Sequence, residues 1–436
     1  IAANINMSGW DWEPIGTESE PFTGSIDNLG IYTISNLSID NTSGYAGLFG
    51  FASGATFTGI RMSGVTVVGQ HSGAILGGGC DVSIYQCVVA KADITGYYTA
   101  GGIAGYVYGN SLFSEVEVKG TSKIAALYDS GSVARAAGGI VGDANYAHVD
   151  SALVNISGGI SLGSSTYGYA GGIAGTTNGT IKRSRVRASV TANNSDEDYA
   201  GGIVGYTTSG ISGCCVEGGV ISGHYAGGIG GAINTGKSVT LNFSDYKKDY
   251  RKQDLSNYSY SADVIAVGVE SVVCVKGQEV GGLFAIINSG VVTNCYTRAK
   301  LEGTSGSAIK AGFARSINSN GFNNQGGTGT AGIIENCYSA CKFIGSGTNY
   351  AVTVSEVHAY AGWGSGNFRN AGYCFNYVFD KTLAGNAKVV SGSSFRNYTN
   401  AGKTTAEMQT ASTYTSRNFS TIYWNFGSDY PTLRDM

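Results

Sequence analysis

The sequence predicts an all-β fold: a single-stranded, right-handed parallel β-helix of about ten to twelve coils with terminal caps. Three observations point there. The first is repetition. "YAGGIAGTTNGTIKRSRVRASV" (Tyr169–Val190) is followed by "YAGGIVGYTTSGISGCCVEGGV" (Tyr199–Val220). The second is composition. The 436 residues include 69 Gly, 28 Tyr and only 3 Pro. Charged residues are 13%, against the usual quarter or so. The third is that each repeat carries short β-branched segments bounded by Gly, Asn or Ser, a strand signal.

The glycine cores give the order of the coils. They begin at Gly47, Gly73, Gly101, Gly138, Gly171, Gly201, Gly227, Gly281 and Gly312, with spacings of 26, 28, 37, 33, 30, 26, 54 and 31 residues. A unit of this length holds about three short strands and their turns. No helical period of apolar residues competes with this reading. The 54-residue spacing reads as two units, the second worn down to "SADVIAVG" after Tyr260. Parallel crossovers are almost always right-handed, which sets the hand. The paired glycines Gly101-Gly102, Gly171-Gly172 and Gly201-Gly202 read as stacked corners. There Gly would supply positive φ and permit close approach of neighbouring turns. Ile103, Ile140, Ile173 and Ile203 then point inward. The chain divides as a lead-in and cap over 1–45, repeat coils over 46–365 and a closing cap over 366–436, in one continuous domain.

A second signal follows the glycines: Ile84-x-x-Cys87, Ile181-x-x-Ser184-x-Val186, Ile211-x-x-Cys214-x-Val216, Val292-x-x-Cys295 and Ile334-x-x-Cys337. This whole sentence resembles the GLUG motif of bacterial surface β-helix proteins, over roughly nine or ten copies between residues 46 and 345. Ile5–Asp40 resembles the lead-in coil of that family. Where the family has an Asp-Gly-x-Gly-His run, this chain has Asp27-Asn28-Leu29-Gly30-Ile31-Tyr32. "MQTASTYTSRNFSTIYWNFGSDYPTLRD" resembles the closing segment, with Trp424, Tyr430, Pro431 and Leu433 in place. The resemblance implies an exported bacterial protein, secreted or on the cell surface, of adhesin type. It implies no reaction.

Cys87, Cys214, Cys295 and Cys337 share one repeat position with Ser184, so they read as an inward ladder of small buried side chains. Stacked strands stand roughly 4.8 Å apart, whereas a disulfide brings its Cβ atoms to about 3.8 Å. No Cys/His spacing for a metal occurs. Asp196, Glu197 and Asp198 form the tightest acidic cluster and are weak calcium candidates. A solvated loop is the simpler account, since no Asp-x-Asp-x-Asp-Gly ladder accompanies them. The 4 histidines are scattered, no nucleophile motif is present, and no cofactor is expected.

Binding is expected on loops and the outer face. Tyr97, Tyr98, Tyr167, Tyr169 and Tyr258 are candidate platforms for sugar rings, although Tyr also fills strands and corners. Arg183 and Arg185, within "IKRSRVR", offer a weak polyanion or glycan patch, with a plain solvated face as the alternative. The insertions Asp245–Asp254 and Ile317–Thr330 are further binding candidates. The expected partner is a carbohydrate or a host surface protein. A net charge of −3 gives no nucleic-acid footprint. No stretch approaches the roughly 20 apolar residues of a membrane span. The chain begins at Ile1 and reads as mature or trimmed. It is expected to be monomeric. A β-helix polysaccharide lyase or glycoside hydrolase is the alternative, and a rigid stalk of a larger exported enzyme the third. Finally, Ile181 and Val186 are an odd number of residues apart, so both point inward only if a corner or bulge lies near Ser184. Counting on, Arg187 should lie over Glu217 and beside Asn155.

Overall fold

The computed structural model describes all residues except 29–30, 128–133, 164–166, 194–197, 237, 242–257, 260–263, 321–326, 354–372, 391–400, 418 and 435–436. It is a parallel β-helix. One coil shows the plan. Thr66–Gly73 and Leu76–Cys80 form a long bent face. Ser83–Tyr85 forms a first short face and Val88–Ala90 a second. The next coil lies directly on it in parallel register: Thr66↔Asp93, Leu76↔Ala104, Ser83↔Leu112 and Val88↔Glu117. Among the described residues the second short face is a ladder of 13 strands, from Ile5–Asn6 to Gly402–Lys403. The ladder therefore runs through residues 1–45 as well, where Ser25–Asp27 and Ser38–Ala46 pair with the coil above.

The interior is a set of stacked columns, because identical positions in successive coils face the same neighbours. Ile103, Ile140, Ile173 and Ile203 are completely buried, one above another. So are Cys87, Ser184, Cys214, Cys295 and Cys337, all the thiols being free. The residue before each of these turns the corner in the left-handed conformation: Gln86, Arg183, Asn294 and Asn336 have φ near +50° and Gly213 has +61°. Asn tolerates that conformation better than most side chains, and Gly tolerates it freely.

The paired glycines work differently. Gly101, Gly102, Gly171, Gly172, Gly201 and Gly202 do not have positive φ. The expectation of left-handed backbone there is corrected; they are required for closeness. A Cβ on Gly172 would stand 2.0 Å from the Gly202 carbonyl oxygen and 2.7 Å from a Val186 methyl. A Cβ on Gly171 would stand 1.8 Å from the Ala174 oxygen. No side chain fits in either place.

The 54-residue spacing is also corrected. Val220–Gly227 pairs directly with Cys274–Gly281, so no rung lies between them. The spacing is one coil with a long insertion. "SADVIAVG" and the Val269 that follows it supply that coil's two short strands, Val264–Ile265 and Gly268–Val269, in register with Ile211 and Cys215. The insertion contributes Ser238–Leu241, which pairs antiparallel with both Tyr258–Ser259 and residues of Gly327–Glu335. Two insertions from separate coils thus build one small antiparallel sheet outside the ladder.

At Arg187 the register slips by one. Arg187 lies beside Asn155, as counted, but opposite Gly218 rather than Glu217, with a bulge after Val186. The side chains still meet. Glu217 accepts from Arg187 Nε at 2.7 Å and lies 3.3 Å from Arg185 Nε.

Candidate binding cleft

The long face bends sharply at each Gly-Gly, and its outer surface is the inside of the bend. In the seven coils whose corners begin at Gly47, Gly73, Gly101, Gly138, Gly171, Gly201 and Gly227, the residue two before that glycine points outward. These residues are Tyr45, His71, Thr99, Ala136, Tyr169, Tyr199 and Tyr225, joined in one register column. In the second half-strand the outward column is Phe51, Gly78, Tyr106, Asp143, Thr176, Tyr206 and Ala232. The two columns face each other across the bend. Tyr169 and Tyr206 have ring centroids 5.3 Å apart, and His71 and Tyr106 5.6 Å. A Cβ on Gly78 would lie 2.4 Å from the Tyr45 ring. In each case a residue of one coil meets the second half-strand of the next. Two outward-facing walls therefore enclose a cleft along the axis.

Aromatic rings line the cleft in two clusters. Near the N-terminal end Tyr45 stacks on His71 at 5.1 Å, and His71 also touches Tyr98 at 5.8 Å. Toward the middle Tyr169, Tyr199 and Tyr225 form a stack, with centroids 5.6 and 4.8 Å apart, and Tyr167 crosses Tyr169 edge-on at 5.3 Å. The Tyr167 and Tyr169 hydroxyls are hydrogen-bonded. Stacked rungs, roughly 4.8 Å apart, place successive rings at contact spacing.

Burial leaves its mark on the titrating groups. It pushes the Tyr45 phenol up to about 12, and Tyr169 further in the same direction. It pushes the His71 imidazole down to about 4, so the ring is neutral at pH 7. His71 Nδ1 lies 2.9 Å from Thr99 Oγ1. Burial also raises the Asp143 carboxyl, while Thr176 Oγ1 donates to Asp143 Oδ1 at 2.7 Å and pulls the other way.

The residues singled out from sequence fall in different places. Tyr98, Tyr167 and Tyr169 belong to the cleft, and half-buried Tyr97 lies beside Tyr98 on the same bulged strand. Tyr258 pairs by its backbone in the antiparallel sheet; its side chain lies outside the described residues. Arg183 and Arg185 sit on the short-face side and are ion-paired, to Asp150 and Glu217 respectively. Asp196 and Glu197 lie outside the described residues. Asp198 is not a loop residue: it is fully buried in Asp198–Gly201, on the core side of the strand. It flanks Gly168 in a register column that has Arg135 on the other side. A surface cation site using Asp198 is therefore corrected. Among the described residues no group of three or more His, Cys, Asp or Glu could hold a metal ion.

The cleft residues missed in sequence were Tyr45, His71, Tyr106, Asp143, Tyr199, Tyr206 and Tyr225. The signal was present: one column directly precedes each Ala-Gly or Ser-Gly, and from the second coil onward the other follows the first glycine by five residues, as in Gly101 to Tyr106 and Gly201 to Tyr206.

No family model matches the chain, and no curated protein matches it. A solved structure described as a "putative immunoglobulin A1 protease" from Bacteroides ovatus aligns over 99% of this chain and 84% of its own, at 15% identity and a TM-score of 0.30. That likeness carries no argument about function.

Proposed function

We propose that this chain is a non-enzymatic, adhesin-like β-helix of the GLUG type, exported to the cell surface or secreted, that binds carbohydrate along the bent face. The observation that supports the reading is the pair of aromatic clusters in one axial cleft. Amphipathic tyrosine rings stacked on a rigid frame present their edges and hydroxyls to the cleft, so a sugar can lay its apolar C–H face along the column and hydrogen-bond to the hydroxyls at little cost in side-chain freedom. A row of them at rung spacing suits a linear glycan lying along the axis. The sparse charge of the walls favours a sugar over a nucleic acid, whose backbone demands a basic track. Among the described residues no helix is long and apolar enough to cross a membrane.

A glycan-array screen of the purified chain tests the reading. Binding should concentrate on one class of glycan. It should weaken when Tyr199 and Tyr225, the most closely stacked pair, are both changed to Ala.

A further inference from the structure

Between the aromatic clusters, both walls recede together. In the second half-strand column, Tyr106 and Tyr206 bracket Asp143 and Thr176. On the facing wall, where each residue meets the second half-strand of the next coil, Thr99 and Ala136 stand opposite Asp143 and Thr176, and His71 and Tyr169 on either side stand opposite Tyr106 and Tyr206. Three rungs separate Tyr106 from Tyr206, about 14 Å at the usual rung spacing. The walls of this notch are polar. Thr176 donates to Asp143, and Asn178 Nδ2 donates to Asn145 Oδ1 at 2.7 Å, two residues further along the same two rungs. Asp143 and Thr176 are only partly covered by protein.

We infer that this notch is the specificity subsite of the cleft, and that Asp143 reads the hydroxyls of one sugar residue of a neutral glycan. The inference rests on the carbohydrate reading above and names the class of sugar. A carboxylate has acceptor capacity for several donors, so one bond from Thr176 leaves room for sugar hydroxyls. A charge-assisted hydrogen bond at a desolvated site is among the stronger polar contacts available. The same carboxylate repels a uronate or sulfate placed against it, because like charges at contact distance in a partly buried site are poorly screened. The aromatic clusters on either side are sequence-tolerant platforms; the notch is where polar groups discriminate.

The test is calorimetric titration of the full chain. The probes are neutral gluco-, manno- and galacto-configured oligosaccharides and a galacturonate oligosaccharide of the same length. Wild type is compared with Asp143→Asn and Tyr206→Ala. Asp143→Asn preserves shape, and burial already disfavours the charge, so its unfolding temperature should be no lower than that of wild type. We expect at least one neutral probe to bind and the galacturonate to bind at least tenfold more weakly. Asp143→Asn should weaken the neutral probe about tenfold and narrow the gap to the galacturonate. If Tyr206→Ala weakens binding but Asp143→Asn leaves both affinity and selectivity unchanged, the notch is no reader and only this inference falls. A galacturonate that binds wild type as tightly as the neutral probes overturns it as well. If no probe binds wild type, the carbohydrate reading fails and this inference falls with it.

Discussion

Lys310 occupies an inward position held in other coils by Ala200, Ala226 and Val280. It is fully buried, and its Nζ donates to the carbonyl oxygens of Ser346 at 2.7 Å, Ile344 at 2.8 Å and Gly345 at 3.4 Å. Burial pulls its ammonium below the usual lysine range. The side chain holds the turn of the next coil from inside. Lys310→Met should therefore leave carbonyls without a donor and cost on the order of 2–4 kcal/mol, seen as a lower denaturation midpoint. The glycines allow a sharper contrast. Gly172→Ala places a methyl 2.0 Å from the Gly202 oxygen, whereas a Cβ at Gly218 meets nothing within 4 Å. Gly172→Ala should cost about 3 kcal/mol or more, and Gly218→Ala should stay within about 0.5 kcal/mol of wild type.

His71 adds a pH dependence at the same scale. Its folded pKa of about 4 lies below the roughly 6.5 of an unfolded histidine. Between those values the unfolded chain binds more protons, so stability is retained above about pH 6.5 and declines as pH falls toward 4. At about 1.4 kcal/mol per unit, and discounting for partial exposure, the loss is about 1–2 kcal/mol. Thermal unfolding of His71→Gln should lack this component between pH 7 and pH 4.

Among the elements, the C-terminal segment is the one the repeat does not explain. Trp424, Tyr414, Phe419 and Leu433 are buried in a cluster with Tyr296, Tyr338 and Val378. The last three come from the second short face. In earlier coils that outward column carries Glu117, Leu153 and Arg185. The segment thus docks against the side of the final coils. Trp424 Nε1 donates to Asn294 Oδ1 at 3.2 Å, and the Tyr338 hydroxyl to the Pro431 oxygen at 2.7 Å. Asp380 caps the helix Lys381–Ala384 and accepts from the Tyr430 hydroxyl. Trp424→Ala removes the central ring, a change that costs about 3–5 kcal/mol in a packed core. Limited proteolysis should then cut within residues 401–434 well before it cuts the coils.

The thiol ladder gives a second check on the coils. Burial raises the thiols of Cys87 and Cys214 to about 12, and Cys337 well above its ordinary range. Cys295 is buried in the same column. All four should resist a thiol reagent until the chain unfolds, while half-exposed Cys80 and Cys274 react first. Rapid native labelling of Cys214 or Cys295 would contradict the inward column.

For the whole molecule, much was legible because a solenoid writes its contacts as spacing. The parallel ladder, the inward Ile and Cys columns and a corner beside Ser184 all follow from aligning the coils at Gly171 and Gly201. Three things were not legible. The insertion after Asn234 is nearly as long as a coil, so spacing alone could not tell it from an extra rung. The bulge at Glu217 shifts Arg187 by one residue yet leaves the ion pair formed, and side-chain reach hides such slips. The cleft was missed because isolated tyrosines look alike in sequence. Only the bend at Gly-Gly turns two outward columns toward each other, and that depends on glycine at positions such as Gly77 and Gly205, where a Cβ would lie within 3 Å of backbone atoms.

The central claim is that the bent face, rather than the arginine-bearing short face, is where this protein binds carbohydrate. Calorimetry with the best glycan from an array tests it most directly, comparing wild type, Tyr199→Ala/Tyr225→Ala and Arg183→Ala/Arg185→Ala. The account predicts that the tyrosine pair lowers affinity at least tenfold, with the unfolding temperature of the coils retained, and that the arginine pair leaves affinity unchanged. The opposite pattern, with affinity lost only when the arginines are removed, would contradict it.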